Sequence, residues 1–398
     1  MAIDFQQLYP QIQNFVTQTY AYHQEWQTAR SLCFETLKEQ AQNLTALNHR
    51  IEQLGSNQLR VLRCAKPVKE NLNAHIPLPK LDRLPIVLAA DGSQILPDRH
   101  AAVYYGLINV SGFVLPYGQS AVPQITQACE LIYGNQLENF SDARLALQRD
   151  IAERRMILDL GKTIAAPCVA LVDGPLELWA ERGQSGEEQE LYQRNLETYF
   201  TILSDIYQEK IIFAGFIDRP ESNYLVRLLE IGRARDDELA ELQRYRPFSG
   251  ISDIDLLADL LKPGERSAVF SLQSHTTMQF PPHSQIHFFY INVGRENQAW
   301  LGRVEIPAWV ALEQALVDLV HATIVSQCQI MGGNAYPYAL HRAHEIAVVS
   351  FDEKEQVTRW ITTEMLRRGL PMGMVSHKQG LKNLPLRQPG RIKLGGKK

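Results

Sequence analysis

The chain has 398 residues, of which 45% are apolar and 21% charged, with a formal net charge of −4. Such proportions suit a globular protein that buries a sizeable core, and the negative balance excludes whole-chain attraction to a polyanion, leaving any nucleic-acid contact to local basic patches. No run of about eighteen apolar residues and no charged leader before an apolar stretch occurs, and five scattered cysteines form no CxxC pair, so membrane spanning, export, a disulfide framework and a thiolate zinc site are not expected, and a cytoplasmic setting is.

Residues 1–65 are poor in Gly and Pro. Leu8, Ile12, Phe15 and Val16 form one apolar stripe, and Leu32, Leu37, Leu44, Leu47, Ile51 and Leu54 another. This spacing predicts two or more amphipathic helices that pack on the core or on a second subunit. The stretch 66–84, rich in Pro and Asn, reads as a linker. IVLAAD then predicts a buried strand ending at Asp91, followed by two β-rich runs that turn at Ser111-Gly112. A helix is expected over 141–162, a buried strand at PCVALVDG, another helix at ELYQRNLETYFTILSDIYQE and a strand at KIIFAGFID. Alternation of this kind indicates an α/β core with antiparallel pairing at its front. The charged stretch 230–265 reads as helical, three strands follow at SAVFSLQ, IHFFYINVG and LGRVEIP, and two helical runs close the fold, the second reaching from Tyr336-Pro337 to about Phe351. Nine Lys or Arg and no acidic residue follow Glu364, so 366–398 is expected as a basic tail able to touch phosphate.

The candidate chemistry lies in the carboxylates. Asp91 and Asp173 each follow an apolar strand and precede Gly. Two such strands bring their acids to one edge of a sheet, where α/β folds place their sites. There the pair repels itself unless a divalent cation lies between, and magnesium and manganese favour oxygen ligands. Asp218 and Glu221 end a third strand and add acidic groups at the same edge, unless Arg219 pairs with them; Glu177 serves a helix start. His341 and His344, three apart on the late helix, face different ways and do not readily share one ion. Phosphate-loop, dinucleotide-binding, HExxH and GxSxG patterns are all missing.

Taken in order, AADGSQ, LVDGPLE and YPYALHRAHEIAVVS resemble the NurA nuclease family. The resemblance covers about residues 84–365. It implies an RNase H-like mixed sheet flanked by helices, with an N-terminal helical region (1–65), a linker (66–84), a nuclease domain (85–365) and the tail. It further implies a manganese- or magnesium-dependent deoxyribonuclease, an exonuclease with single-strand endonuclease action in DNA end repair, working as a homodimer with a HerA-type hexameric ATPase. Carried over, Asp91, Asp173 and His344 match metal ligands, Tyr336 the tyrosine before the helix proline, and Glu153, with Asp150 as substitute, the helix glutamate. Asp218 departs from a family stretch that often carries Lys. Two other functions remain open: a silent scaffold that binds DNA or an ATPase, and a metal phosphohydrolase acting on small molecules.

Overall fold

The computed structural model describes residues 3–55, 58, 61–83, 85–98, 101, 103–116, 121–134, 141–164, 167–178, 186–332 and 334–370. The chain opens with α1 (Phe5–Gln40), α2 (Leu44–Glu52), β1 (Cys64–Pro67) and β2 (His75–Ile76). The core follows as β3 (Ile86–Ile95), β4 (Gly106–Leu115), β5 (Gln124–Ile132), α3 (Asp142–Gly161), β6 (Cys168–Asp173), α4 (Gly186–Gln208) and β7 (Ile212–Asp218). Next come α5 (Tyr224–Arg233), the short α6 (Asp236–Ala240) and α7 (Asp253–Leu257), then β8 (Arg266–Ser267), β9 (Phe270–Gln273), β10 (Ile286–Asn292) and β11 (Leu301–Pro307). The last helices are α8 (Ala308–Ala311), α9 (Gln314–Ile330), α10 (Tyr338–Ala347) and α11 (Phe351–Arg367).

These strands make one mixed sheet in the order β1-β9-β10-β11-β7-β6-β3-β4-β5, with β2 and β8 paired beside β10. Within it β3, β6 and β7 run parallel, while β4 and β5 form an antiparallel meander on β3. Such a centre, three strands of a meander continued by two parallel strands, is the arrangement of an RNase H-like core. Its helices lie on both faces, as parallel pairing demands.

Strand alternation assigns each side chain to a layer. Leu88, Ala90, Ile108 and Val110 pack with Leu145, Ile157 and Leu158 of α3. Val87, Ala89, Phe113, Val169 and Leu171 pack on the other face with Val317, Val320 and Ile324 of α9 and Leu340 and Ala343 of α10. The N-terminal helices divide likewise: Cys33, Leu37, Leu47, Ile51 and Leu54 join the core, whereas Ile12, Phe15 and Val16 of the first stripe are exposed.

Several sequence expectations change. Strand β3 does not end at Asp91; it continues to Ile95, with Asp91 opposite Ser111. Nor does the chain turn at Ser111-Gly112, where β4 runs straight through. In both places Gly is required by a close approach: a Cβ on Gly92 would lie 2.7 Å from Arg149 Cγ, and one on Gly112 2.3 Å from Leu160 Cδ1. Strand β5 is an unread element, its residues almost all exposed and so without an alternating apolar signal. The final helical run breaks after Ala347, and Ser350 caps a separate helix, α11, by accepting from the Glu353 amide. In the stretch read as a linker, Lys66 and Pro67 belong to the strand that begins at Cys64 and pairs with β9, His75–Ile76 pairs with β8, and Leu72 is fully buried. Of the basic tail, only Leu366 to Leu370 fall among the described residues.

Candidate active site

Register places the two aspartates. Strands β3 and β6 pair in parallel up to Ala90 and Val172, so the next step sets Asp91 beside Asp173, the last residue of β6. Beyond that point β3 continues alone on this side, and Gly174 turns the chain away in a left-handed conformation, φ +84°. Odd-numbered residues of both strands face α9 and α10, which directs Asp91 and Asp173 into the same layer.

Helix α10 is fastened over that edge by its own backbone. The Ser111 hydroxyl donates to Ala343 O at 2.6 Å, the Asn109 amide to Ala347 O at 2.7 Å, and the Ser93 hydroxyl also reaches Ala347 O. Two of these bonds satisfy one carbonyl of the last turn, Ala347 O, of the kind an α-helix leaves without partners. At the other end the Ala339 amide donates to Gln327 Oε1 of α9 at 3.0 Å. So held, the helix presents His344, whose Nδ1 donates to Asp91 Oδ2 at 2.7 Å. Asp91 keeps 13% of its side-chain exposure and His344 62%, so the pair spans the wall and mouth of one cleft. His341 points elsewhere, toward Glu345 at 3.4 Å.

Tyr336, just before Pro337, hydrogen-bonds Asp173 through its hydroxyl and packs edge-on against Phe216, with ring centroids 5.8 Å apart. Crowding by protein atoms raises the Asp173 pKa above the usual carboxylate range. The Tyr336 hydroxyl opposes that rise, the Asp91 charge adds to it, and His344 and the Gly174 amide oppose it. Burial and the nearby Asp173 push the Tyr336 phenol well above its ordinary value, which makes it a donor and not a base.

Glu153 arrives from the opposite layer. It sits on the face of α3 that packs on β3, and the missing side chain of Gly92 lets its Oε1 come up to the strand. It is 4% exposed, and burial raises its pKa to about 8 even though Arg154 pulls it down; Asp150 and Asp91 add to the rise. Its carboxylate is bound by Arg154 Nη1 at 2.7 Å and Arg149 Nε at 3.3 Å. Asp150 takes the other Arg149 contact, 2.9 Å from Nη2. The two arginines, unread in the sequence, answer the acidic residues around them, and the signal was their position beside Glu153 in RDIAERR. The polar residues Asn109 and Ser111 inside an apolar strand were a second unread signal.

Asp218, at the end of β7, lies one strand farther along the edge, accepting from Trp300 Nε1 at 2.6 Å, with Arg219 Nε at 3.6 Å. Glu177 is buried and bound by Arg63, apart from the cleft. Thus Asp91, Asp173, His344 and Tyr336 form one connected group, Glu153 approaches it from behind, and Asp218 and Glu177 stand outside it.

A divalent cation fits this donor set chemically: two carboxylates in register, that of Asp173 raised in energy by crowding and by the Asp91 charge, with an imidazole attached. Among the described residues no three His, Cys, Asp or Glu side chains yet stand in full metal-ligand geometry. Asp91 and Asp173 are the pair free to hold an ion, since arginines already compensate Glu153.

Residues 85–349, well over half of the chain, match the model of the NurA domain. Among solved structures the chain is similar to the NurA nuclease from Sulfolobus solfataricus, at 13% identity and a TM-score of 0.47, covering 79% of this chain and 92% of that one. It is also similar to Ciona intestinalis endonuclease V in complex with DNA containing inosine, at 11% identity and a TM-score of 0.32, covering 70% and 88%, and to Drosophila Piwi, at 10% and 0.30, covering 67% and 30%. These are loose likenesses, and assignment to a family rests on the family model. Among curated proteins no match to the chain was found.

Proposed function

The chain belongs to the NurA family, a family of nucleases, and from that premise we propose that it is a metal-dependent deoxyribonuclease whose chemistry is carried by Asp91, Asp173, His344, Tyr336 and Glu153. The observation that supports this most is the register that sets Asp91 beside Asp173, with His344 on Asp91. Hydrolysis of a phosphodiester needs a positioned water, stabilised charge on the phosphoryl oxygens and help for the departing oxygen. Manganese or magnesium, when bound, supplies charge stabilisation and a more acidic water.

The protein's own groups do the rest. Asp91 and Asp173 would hold the ion, Glu153, once released by its arginines, would complete its surroundings on the α3 side, and His344 would add a nitrogen or a proton acceptor beside Asp91. Because Nδ1 of His344 is committed to Asp91, its Nε2 is the nitrogen that meets the attacking water or the scissile phosphate. Tyr336 donates to Asp173, keeping that carboxylate ionised and fixed. Arg149, 31% exposed on its side chain and shared between Asp150 and Glu153, would be the nearby cation for a phosphate oxygen.

The same premise supports further parts of the reading. DNA is the substrate, cut exonucleolytically with some single-strand endonuclease action in end repair in the cytoplasm. The nuclease unit is 85–365, following a helical region at 1–65. The chain works as a homodimer with a HerA-type hexameric ATPase, and the exposed Ile12, Phe15 and Val16 of α1 offer apolar surface for such assembly.

The test is an assay on end-labelled single-stranded and duplex DNA, with a phosphate monoester beside it, with and without Mn²⁺. Metal-dependent cutting of DNA alone is expected. Turnover of the monoester alone would make the protein a small-molecule phosphohydrolase, and no turnover with retained DNA binding would make it a scaffold.

A further inference from the structure

Resting on the nuclease reading, we propose that the cavity on the far side of Tyr336 is a subsite for one unpaired nucleobase of the DNA strand, next to the scissile phosphate. The cavity measures about 260 Å³ and is lined by Trp300, Met331, Tyr336, Asp218, Asn334 and His341. That is just below the roughly 300–1,000 Å³ of sites for drug-sized ligands, the scale of a single ring system. Tyr336 forms a wall of this cavity and also bonds Asp173, so a base held here leaves its own phosphate at the carboxylates.

The lining is made of a flat apolar surface and a few polar groups, the combination that recognises a base by its face and edge. Trp300 supplies the face and is held rigidly. Its Nε1 donates to Asp218 Oδ1 at 2.6 Å, its backbone amide donates to Asn292 Oδ1 at 3.1 Å, and the Arg219 guanidinium lies 4.5 Å from the ring centroid. Arg219 adopts a left-handed backbone, φ 39°, which a residue other than Gly rarely takes, and its side chain lies over the indole. Arg219 also offsets the negative charge of Asp218, which would otherwise repel a polyanion. The edge is met by Asp218, an acceptor with lone pairs beyond the one used by Trp300, and by the Asn334 side-chain amide, which both donates and accepts. These groups need the hydrogen-bonding edge that a Watson–Crick partner occupies. The subsite therefore takes a base only from a single strand or a frayed end.

The experiment uses the full-length protein in EDTA with single-stranded oligonucleotides carrying 2-aminopurine, or an abasic site, at successive positions. A fluorescence change at one position is expected with wild type and not with Trp300→Leu. An abasic site at that position should weaken wild-type binding roughly tenfold, as loss of one stacked base does, and leave Trp300→Leu and Asn334→Ala much less affected. Equal responses at every position in the wild type, which needs no variant to fold, would overturn the subsite. Cleavage with Mn²⁺ is followed in parallel. DNA cutting without any base-position signal refutes the subsite alone, and a base-position signal without cutting refutes the nuclease reading alone.

Discussion

His344 and Asp91 are 253 positions apart in the chain and meet at 2.7 Å, because Ser93, Asn109 and Ser111 bind the backbone of the helix that carries the histidine. The contact joins the first strand of the core to helix α10, and in the proposed mechanism it makes the two dispersed residues one acid–base unit.

Replacing His344 with Ala removes that unit's proton acceptor. DNA cleavage should fall about 10²- to 10⁴-fold, the usual effect of losing a general acid or base. The hydrogen bond to Asp91 sits on a largely exposed imidazole, so thermal unfolding should change by less than about 1 kcal/mol. A cleavage time course with a melting curve checks both, and a large loss of stability would mean that His344 is chiefly structural.

Tyr336→Phe deletes the hydroxyl that lowers the Asp173 pKa and keeps the ring that packs on Phe216. Asp173 then titrates at higher pH, so more acid-side activity is lost. The acidic limb of the cleavage pH profile should shift upward, with a drop of about tenfold near neutrality, on the order of one hydrogen bond. An unchanged profile would detach Tyr336 from the chemistry.

Gly215→Ala tests how the turn after Asp173 is supported. An added Cβ would lie 2.5 Å from the Gly174 carbonyl oxygen, a backbone atom that cannot swing aside. Destabilisation of about 1–3 kcal/mol is expected from this overpacking, accompanied by reduced cleavage, because Gly174 moves with Asp173. A stable variant with normal activity would show that the turn tolerates displacement.

Away from the cleft, His321 is buried and donates from Nε2 to Gly264 O at 2.7 Å. Burial lowers its pKa from 6.5 to about 4. In the unfolded chain it takes up a proton as pH falls below 6.5, whereas in the folded protein it stays neutral until about 4. Its contribution is therefore complete above 6.5 and is lost on acidification toward 4, a change on the order of 3 kcal/mol at about 1.36 kcal/mol per pH unit. Urea unfolding of wild type and His321→Leu at pH 7 and pH 4.5 should show the wild type losing stability relative to the variant at the lower pH. A wild type that gains stability relative to the variant would contradict the sign.

Much of the placement of these residues was readable because an apolar run leading into an acid is conspicuous. Apolar runs before Asp91 and Asp173 gave their shared edge, and alternation along β3 and β6 put them in one layer. The Asp-Gly pairs were less readable. Gly92 serves the approach of Arg149 and Glu153, an effect of α3 that no local sequence rule contains. Likewise Ser111 and Gly112 look like a turn until the partner strand and Leu160 are in place. Strand β5 escaped because an exposed edge strand carries no apolar alternation, and the arginines around Glu153, its local neighbours at i−4 and i+1, escaped because what calls for them is the burial of Glu153 by packing.

The central claim is that Asp91 and Asp173 jointly hold a divalent cation. Calorimetric titration of Mn²⁺ into the wild type, Asp91→Asn and Asp173→Asn tests it most directly. One saturable binding event in the wild type, lost or greatly weakened in both folded variants, is the expected result. Undiminished Mn²⁺ binding in Asp91→Asn and Asp173→Asn, or none in a folded wild type, would contradict it.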